Sequence, residues 1–113
     1  MNAPEALQWL ESELANFPER ASGEDLHKFF VQITKRIIRS PDPTDRSDLA
    51  SALREWLKLR SEPRTMLAVD IAASHSLFEL KADIESLLAD VGSGKAFWPY
   101  YQDNIQRYLK KLS

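Results

Sequence analysis

The sequence predicts an all-α protein, a small stack of antiparallel helix pairs with five to six helices. Three observations lead there. Apolar residues recur at spacings of three and four in one segment after another, and no segment alternates with period two. Only three glycines occur, at 23, 92 and 94, which is too few for a set of tight β-hairpins. Helix-starting and helix-stopping residues fall at the ends of the apolar stripes.

The first helix is expected from about Pro4 to Phe17. Asn2 can cap it, and Pro4 is tolerated in a first turn whose N–H groups lack partners anyway. Leu7, Leu10, Leu14 and Phe17 share one face, and Pro18 ends the pattern. The second runs from about Gly23 to Arg39, with Ser22 and Asp25 as a box-like cap and a stripe of Leu26, Phe29, Phe30, Ile33 and Ile37. Lys35, Arg36 and Arg39 close it, where cations suit the helix dipole. The third runs from about Pro43 to Arg60 behind Asp42, burying Leu49, Leu53, Trp56 and Leu57. The fourth follows almost without a loop, with Ser61 as its expected cap and Pro63 in its first turn. Its stretch Met66–Ala73 is apolar except at Asp70, so other helices should surround it. After a tight turn at "SHSL", the fifth runs from Leu77 to Val91 on Leu80, Ile84, Leu87 and Leu88. "GSG" separates a last helix, expected from Pro99 to Leu112, on Tyr101, Ile105, Tyr108 and Leu109.

The segment 48–60 overlays on 79–91 at a constant shift of 31 residues, placing Leu49 on Leu80, Leu53 on Ile84, Trp56 on Leu87 and Leu57 on Leu88. Such a period is the mark of stacked helical pairs, here helix two with three and four with five. The stretch Pro63–Asp90 then resembles a HEAT-type repeat. It offers Pro63 near the start of a first helix, the run "MLAVDIAA", a short turn, and a second helix ending in "LLAD" at 87–90. It departs in having only Arg64 where a Val-Arg pair is usual, and in a turn without Gly or Asp. The resemblance implies a right-handed stack with HEAT-like packing and a scaffolding or binding role. It brings no catalytic residue set with it.

The totals exclude several functions. There is no cysteine, hence no disulfide, thiolate metal site or cysteine nucleophile. The acidic N-terminal stretch is not a signal peptide, no apolar run is long enough to span a membrane, and a cytoplasmic location is the expectation. We expect one domain over 1–113: an N-terminal helix in 1–21, two helix pairs in 22–91, and a C-terminal helix in 92–113. The initial Met and the basic amphipathic end lead us to expect a complete chain. The net charge of −2 conceals a striped layout. Residues 1–27 carry six acids and one base, 28–64 nine bases and five acids, 65–94 five acids and one base, and 95–113 four bases and one acid. Blocks of alternating sign suit helices that attract one another at their rims better than one basic face for nucleic acid.

Few residues suggest chemistry. His27, in the first turns of helix two, is expected to face solvent, and His75 to sit at the end of helix four near its last carbonyls. No His-x-x-x-His spacing, glycine-rich phosphate loop or paired carboxylates on one face occur, so no metal, cofactor or catalytic site is expected. Asp70 is expected to be structural, reaching Arg64, Lys81 or a base of helix two. The stretch "KAFWPYYQDN" sets four aromatic residues close together around a proline. Phe97 and Tyr101 match the apolar stripe and should be buried. Trp98 and Tyr100 fall off it and are the expected partner-binding anchor. The function expected is a non-catalytic protein-interaction module of bacterial type, of the inhibitor, immunity or scaffold kind, with another protein or a second copy of itself as partner. The alternative is a nucleic-acid-associated helical domain using Lys35, Arg36, Arg39 and Arg46.

Overall fold

The computed structural model describes residues 2–18, 22–97 and 99–112. Among these the chain forms six α-helices and no strand: α1 (Ala3–Asn16), α2 (Gly23–Ile38), α3 (Pro43–Leu59), α4 (Glu62–Ser74), α5 (Lys81–Gly92) and α6 (Tyr101–Lys111). A 3₁₀ turn, Phe78–Leu80, precedes α5. Three expected caps are in place. Asn2 Oδ1 accepts from Glu5 N (2.9 Å), Ser22 Oγ from Asp25 N (3.1 Å) and Asp42 Oδ1 from Thr44 N (2.9 Å). Ser61 makes no such bond, so α4 starts without the side-chain cap expected of it. The last helix begins two residues later than expected, because Pro99 is used in a turn closed by Gln102 N on its carbonyl (3.0 Å).

The helices lie in two layers, with α2, α4 and α6 in front and α1, α3 and α5 behind. α3 and α5 run the same way, and so do α2 and α4. Arg46, Arg54 and Arg60 along α3 meet Glu79, Asp83 and Asp90 along the 3₁₀ turn and α5, in the same order. His27 and Thr34 of α2 likewise meet Asp70 and His75 of α4. The three rungs between α3 and α5, at 3.1, 3.0 and 2.9 Å, join the basic block 28–64 to the acidic block 65–94, as the charge layout suggested. Arg46 and Arg54 also donate to Ser76 O and Glu79 O, so they satisfy carbonyls of the turn before α5.

α3 packs most closely on α4, and next on α1, while α5 packs most closely on α6; the pairing of two with three and four with five is not the one formed. Turn geometry explains the difference. Arg60 alone, in the left-handed conformation (φ 52°), reverses the chain directly from α3 into α4. The 3₁₀ turn, by contrast, carries α5 away from α4 and onto α3 and α6.

α4 is buried nearly all round and forms the centre: Leu67, Ala68, Val69, Ile71 and Ala72 are fully enclosed. Trp56, the largest fully buried side chain, packs against Phe30 with ring centres 5.9 Å apart. Its indole N–H donates to Glu11 Oε2 (2.6 Å), and Glu11 also receives Arg64 at 2.8 Å through both Nε and Nη2. One carboxylate of α1 thereby ties α3 to α4. Arg64 holds the Glu11 carboxyl below the usual range, assisted by Trp56 and opposed by burial. The radius of gyration, 13.4 Å, is that of a single packed body of this length, about 13 Å.

Candidate functional site in the channel over the fourth helix

Where α4 is not covered, it shows one narrow stripe. Glu62, Met66, Asp70 and Ser74 follow one another at steps of four and so lie along one ridge of the helix. This ridge is the floor of a channel walled by α2 and α6. Two adjoining depressions make it up, of about 810 Å³ and about 330 Å³, and they share Gly23, His27 and Tyr108. The larger is lined further by Val31, Gln32 and Lys35, the smaller by Leu26, Asn104 and Tyr101.

Asp70 sits in the middle of that floor. Its side chain is only 16% exposed, and its Oδ2 accepts from His27 Nδ1–H at 2.8 Å while Oδ1 accepts from Ser74 Oγ–H at 3.2 Å. Neither Arg64 nor Lys81 reaches it. Arg64 is committed to Glu11, and no ion pair of Lys81 occurs among the described residues. His27 therefore does not face solvent freely, as its place in the first turns suggested. It lies three-quarters covered across the α2–α4 seam, because a carboxylate 43 residues away in sequence stands opposite it.

The second histidine crosses the same seam. His75 caps α4, and its Nε2–H points at Val31 O (3.1 Å) and Thr34 Oγ1 (2.9 Å). The threonine spends its own proton on Phe30 O (2.7 Å). Burial first, then the nearby Lys35 and Arg46 charges, push the His75 imidazole below the ordinary histidine value, against the pull of Val31 O and Asp70. The place of His75 at the end of α4 was foreseeable; that its ring turns to α2 rather than to the last carbonyls of α4 was not.

Ser74, Asp70 and His27 do not form a nucleophilic triad. The serine is bonded to the acid rather than to the imidazole, so the histidine cannot take its proton. Among the described residues no group of three or more His, Asp or Glu is placed to hold a metal ion. No described helix is long and apolar enough to cross a membrane.

The aromatic corner lies at the N-terminal end of α6. Tyr101 is half-buried and its hydroxyl donates to Glu62 Oε1 (2.6 Å). Phe97, half-buried rather than buried, contacts the Tyr101 ring at 5.6 Å and stands in the left-handed conformation (φ 54°). Tyr100 stacks on Tyr101, with centres 4.6 Å apart and planes 26° apart, yet is 66% exposed. Trp98, the other expected anchor, lies outside the described residues. Among the described residues Leu59 and Phe78 also stand out, each 59% exposed.

The basic residues divide. Arg46 is taken up by Glu79 and Ser76 O, so it does not join a free basic patch. Lys35, Arg36 and Arg39 are exposed and form no ion pair among the described residues.

Compared with known proteins, the chain matches no family model, no curated protein and no solved structure.

Proposed function

We propose that the chain is a non-catalytic module that binds another protein, a scaffold, inhibitor or immunity-type partner built as a HEAT-like helical stack, with Tyr100 as an anchor. Trp98, two residues earlier in sequence, belongs to the same proposal. The observation that carries it is an exposed ring that is already held. Tyr100 rests face-on against Tyr101, and Tyr101 is fixed to α4 through Glu62. A large ring with few rotors left to freeze gives contact area at little entropic cost, which is why such rings dominate interface energetics. The parallel course of α3 with α5, and of α2 with α4 and α6, supports the helical-stack part of the reading.

A photo-crosslinking amino acid at position 100, in cells producing the chain, is expected to capture one discrete polypeptide. Tyr100→Ala should retain the helical circular dichroism and melting temperature and lose co-purification of that polypeptide. Unfolding of Tyr100→Ala, or the same capture from exposed Glu85, would count against the anchor. A second reading, nucleic-acid binding, is favoured by the unpaired Lys35, Arg36 and Arg39. It predicts salt-sensitive anisotropy on a generic DNA duplex that Arg36→Ala and Arg39→Ala weaken.

A further inference from the structure

The channel over α4 is unevenly charged. Each acid in its lining already has a partner: Glu24 takes Lys28 (3.0 Å), Asp70 takes His27 (2.8 Å) and Glu62 takes the Tyr101 hydroxyl (2.6 Å). The cations at one end have none. Lys35 lines the channel without an ion pair, and Lys111, which sits over the Tyr108 ring at 5.4 Å, likewise lacks a carboxylate partner among the described residues. These cations share one end because the three front helices run in the same direction. Tyr101 meets Glu62 at the start of α4, and Tyr108 faces Asp70 and Ser74 further along. The channel thus has a cationic mouth where α2 and α6 finish, an apolar middle of Val31, Met66 and Tyr108, and the aromatic corner at its far end.

We infer that this channel receives an acidic peptide segment of a protein partner, its apolar residues over Val31 and Tyr108 and its carboxylates at the Lys35–Lys111 mouth. The inference rests on the protein-binding reading and names where and by what chemistry the partner is held. A nucleic-acid strand fits the same surface less well. It carries a phosphate at every unit, and those along the floor would pass Glu24, Asp70 and Glu62. A peptide places its charges only where they are wanted, and opposed charges at the mouth fix its direction.

A displayed library of random peptides, panned on the intact chain, tests this. The enriched peptides are expected to carry Asp or Glu clustered at one end beside aliphatic or aromatic residues. Bound to isotope-labelled protein, they should shift the amides of His27, Val31, Ser74 and Tyr108. Lys35→Glu should weaken them about tenfold, a loss typical of one reversed charge contact, whereas Lys35→Arg and the equal charge reversal Lys58→Glu on α3 should not. Peptides without an acidic cluster, or bound equally well by Lys35→Glu, would overturn the inference. So would shifts confined to Tyr100 and Tyr101, which would leave the anchor reading standing. Displacement by a generic DNA duplex at equal affinity would replace it with the nucleic-acid reading. Channel binding that persists in Tyr100→Ala, with no crosslink from position 100, would support the channel and reject Tyr100 as the anchor.

Discussion

Trp56, Asp70 and His75 each join elements distant in sequence, and each gives a distinct expectation. Trp56→Ala removes a fully enclosed indole and should cost about 3–5 kcal/mol, a large share of the roughly 5–15 kcal/mol that holds a small domain. Trp56→Phe should cost less, because Glu11 keeps Arg64 when it loses the indole N–H. Urea midpoints of the two variants check the order. Asp70→Ala leaves His27 and Ser74 without their acceptor and should cost about 1–3 kcal/mol by the same measurement. His75 supplies a pH dependence. Its folded pKa lies below the ordinary histidine value of about 6.5, so the unfolded chain binds more protons in that interval. Its contribution therefore makes the protein less stable as pH falls below 6.5, until the folded value is passed. The difference in urea midpoint between wild type and His75→Gln, followed across that interval, should show this slope in the wild type alone.

At the scale of an element, the turns decide more than the helices do. Ser76, exposed and in the left-handed conformation (φ 54°), bears a side chain where glycine costs nothing. Ser76→Gly should stabilise by about 0.5–1 kcal/mol, the left-handed penalty less the entropy glycine adds to the unfolded chain, and thermal melting reads it. This also explains what the sequence could and could not disclose. The stripes of α1 to α6 and the caps Asn2, Ser22 and Asp42 are local and were legible. So were the rims, since the charge blocks anticipate Arg46–Glu79, Arg54–Asp83 and Arg60–Asp90. The pairing was not legible, because Arg60 and Ser76 reverse the chain without the glycine that signals such a turn. His27 was misplaced because its environment is made by Asp70. The steps of four from Glu62 to Ser74 were a signal that α4 keeps one open ridge. Tyr100 was legible as exposed because it falls off the apolar stripe.

For the molecule as a whole, the three arginine rungs bind α3 to α5 and to the turn before it. They are one-quarter to two-fifths exposed, so each should contribute within about 0–1 kcal/mol and be screened by salt. The triple variant Arg46→Gln, Arg54→Gln, Arg60→Gln should melt lower than wild type at low ionic strength, and the gap should narrow at high salt. An unchanged gap would assign the loss to the carbonyls of Ser76 and Glu79 that Arg46 and Arg54 also serve.

The chain contains only two histidines, and both span the seam between α2 and α4. As neutral rings they are opposite tautomers. His27 must carry its proton on Nδ1 to meet a carboxylate, and His75 on Nε2 to meet a carbonyl oxygen. A long-range proton–nitrogen NMR spectrum recorded with both rings neutral should therefore show two ring patterns that are mirror images of each other. The molecule contains its own pair of reporters, one near each end of α2. Movement of that helix on binding would be visible at both ends in one spectrum, without a label or a substitution.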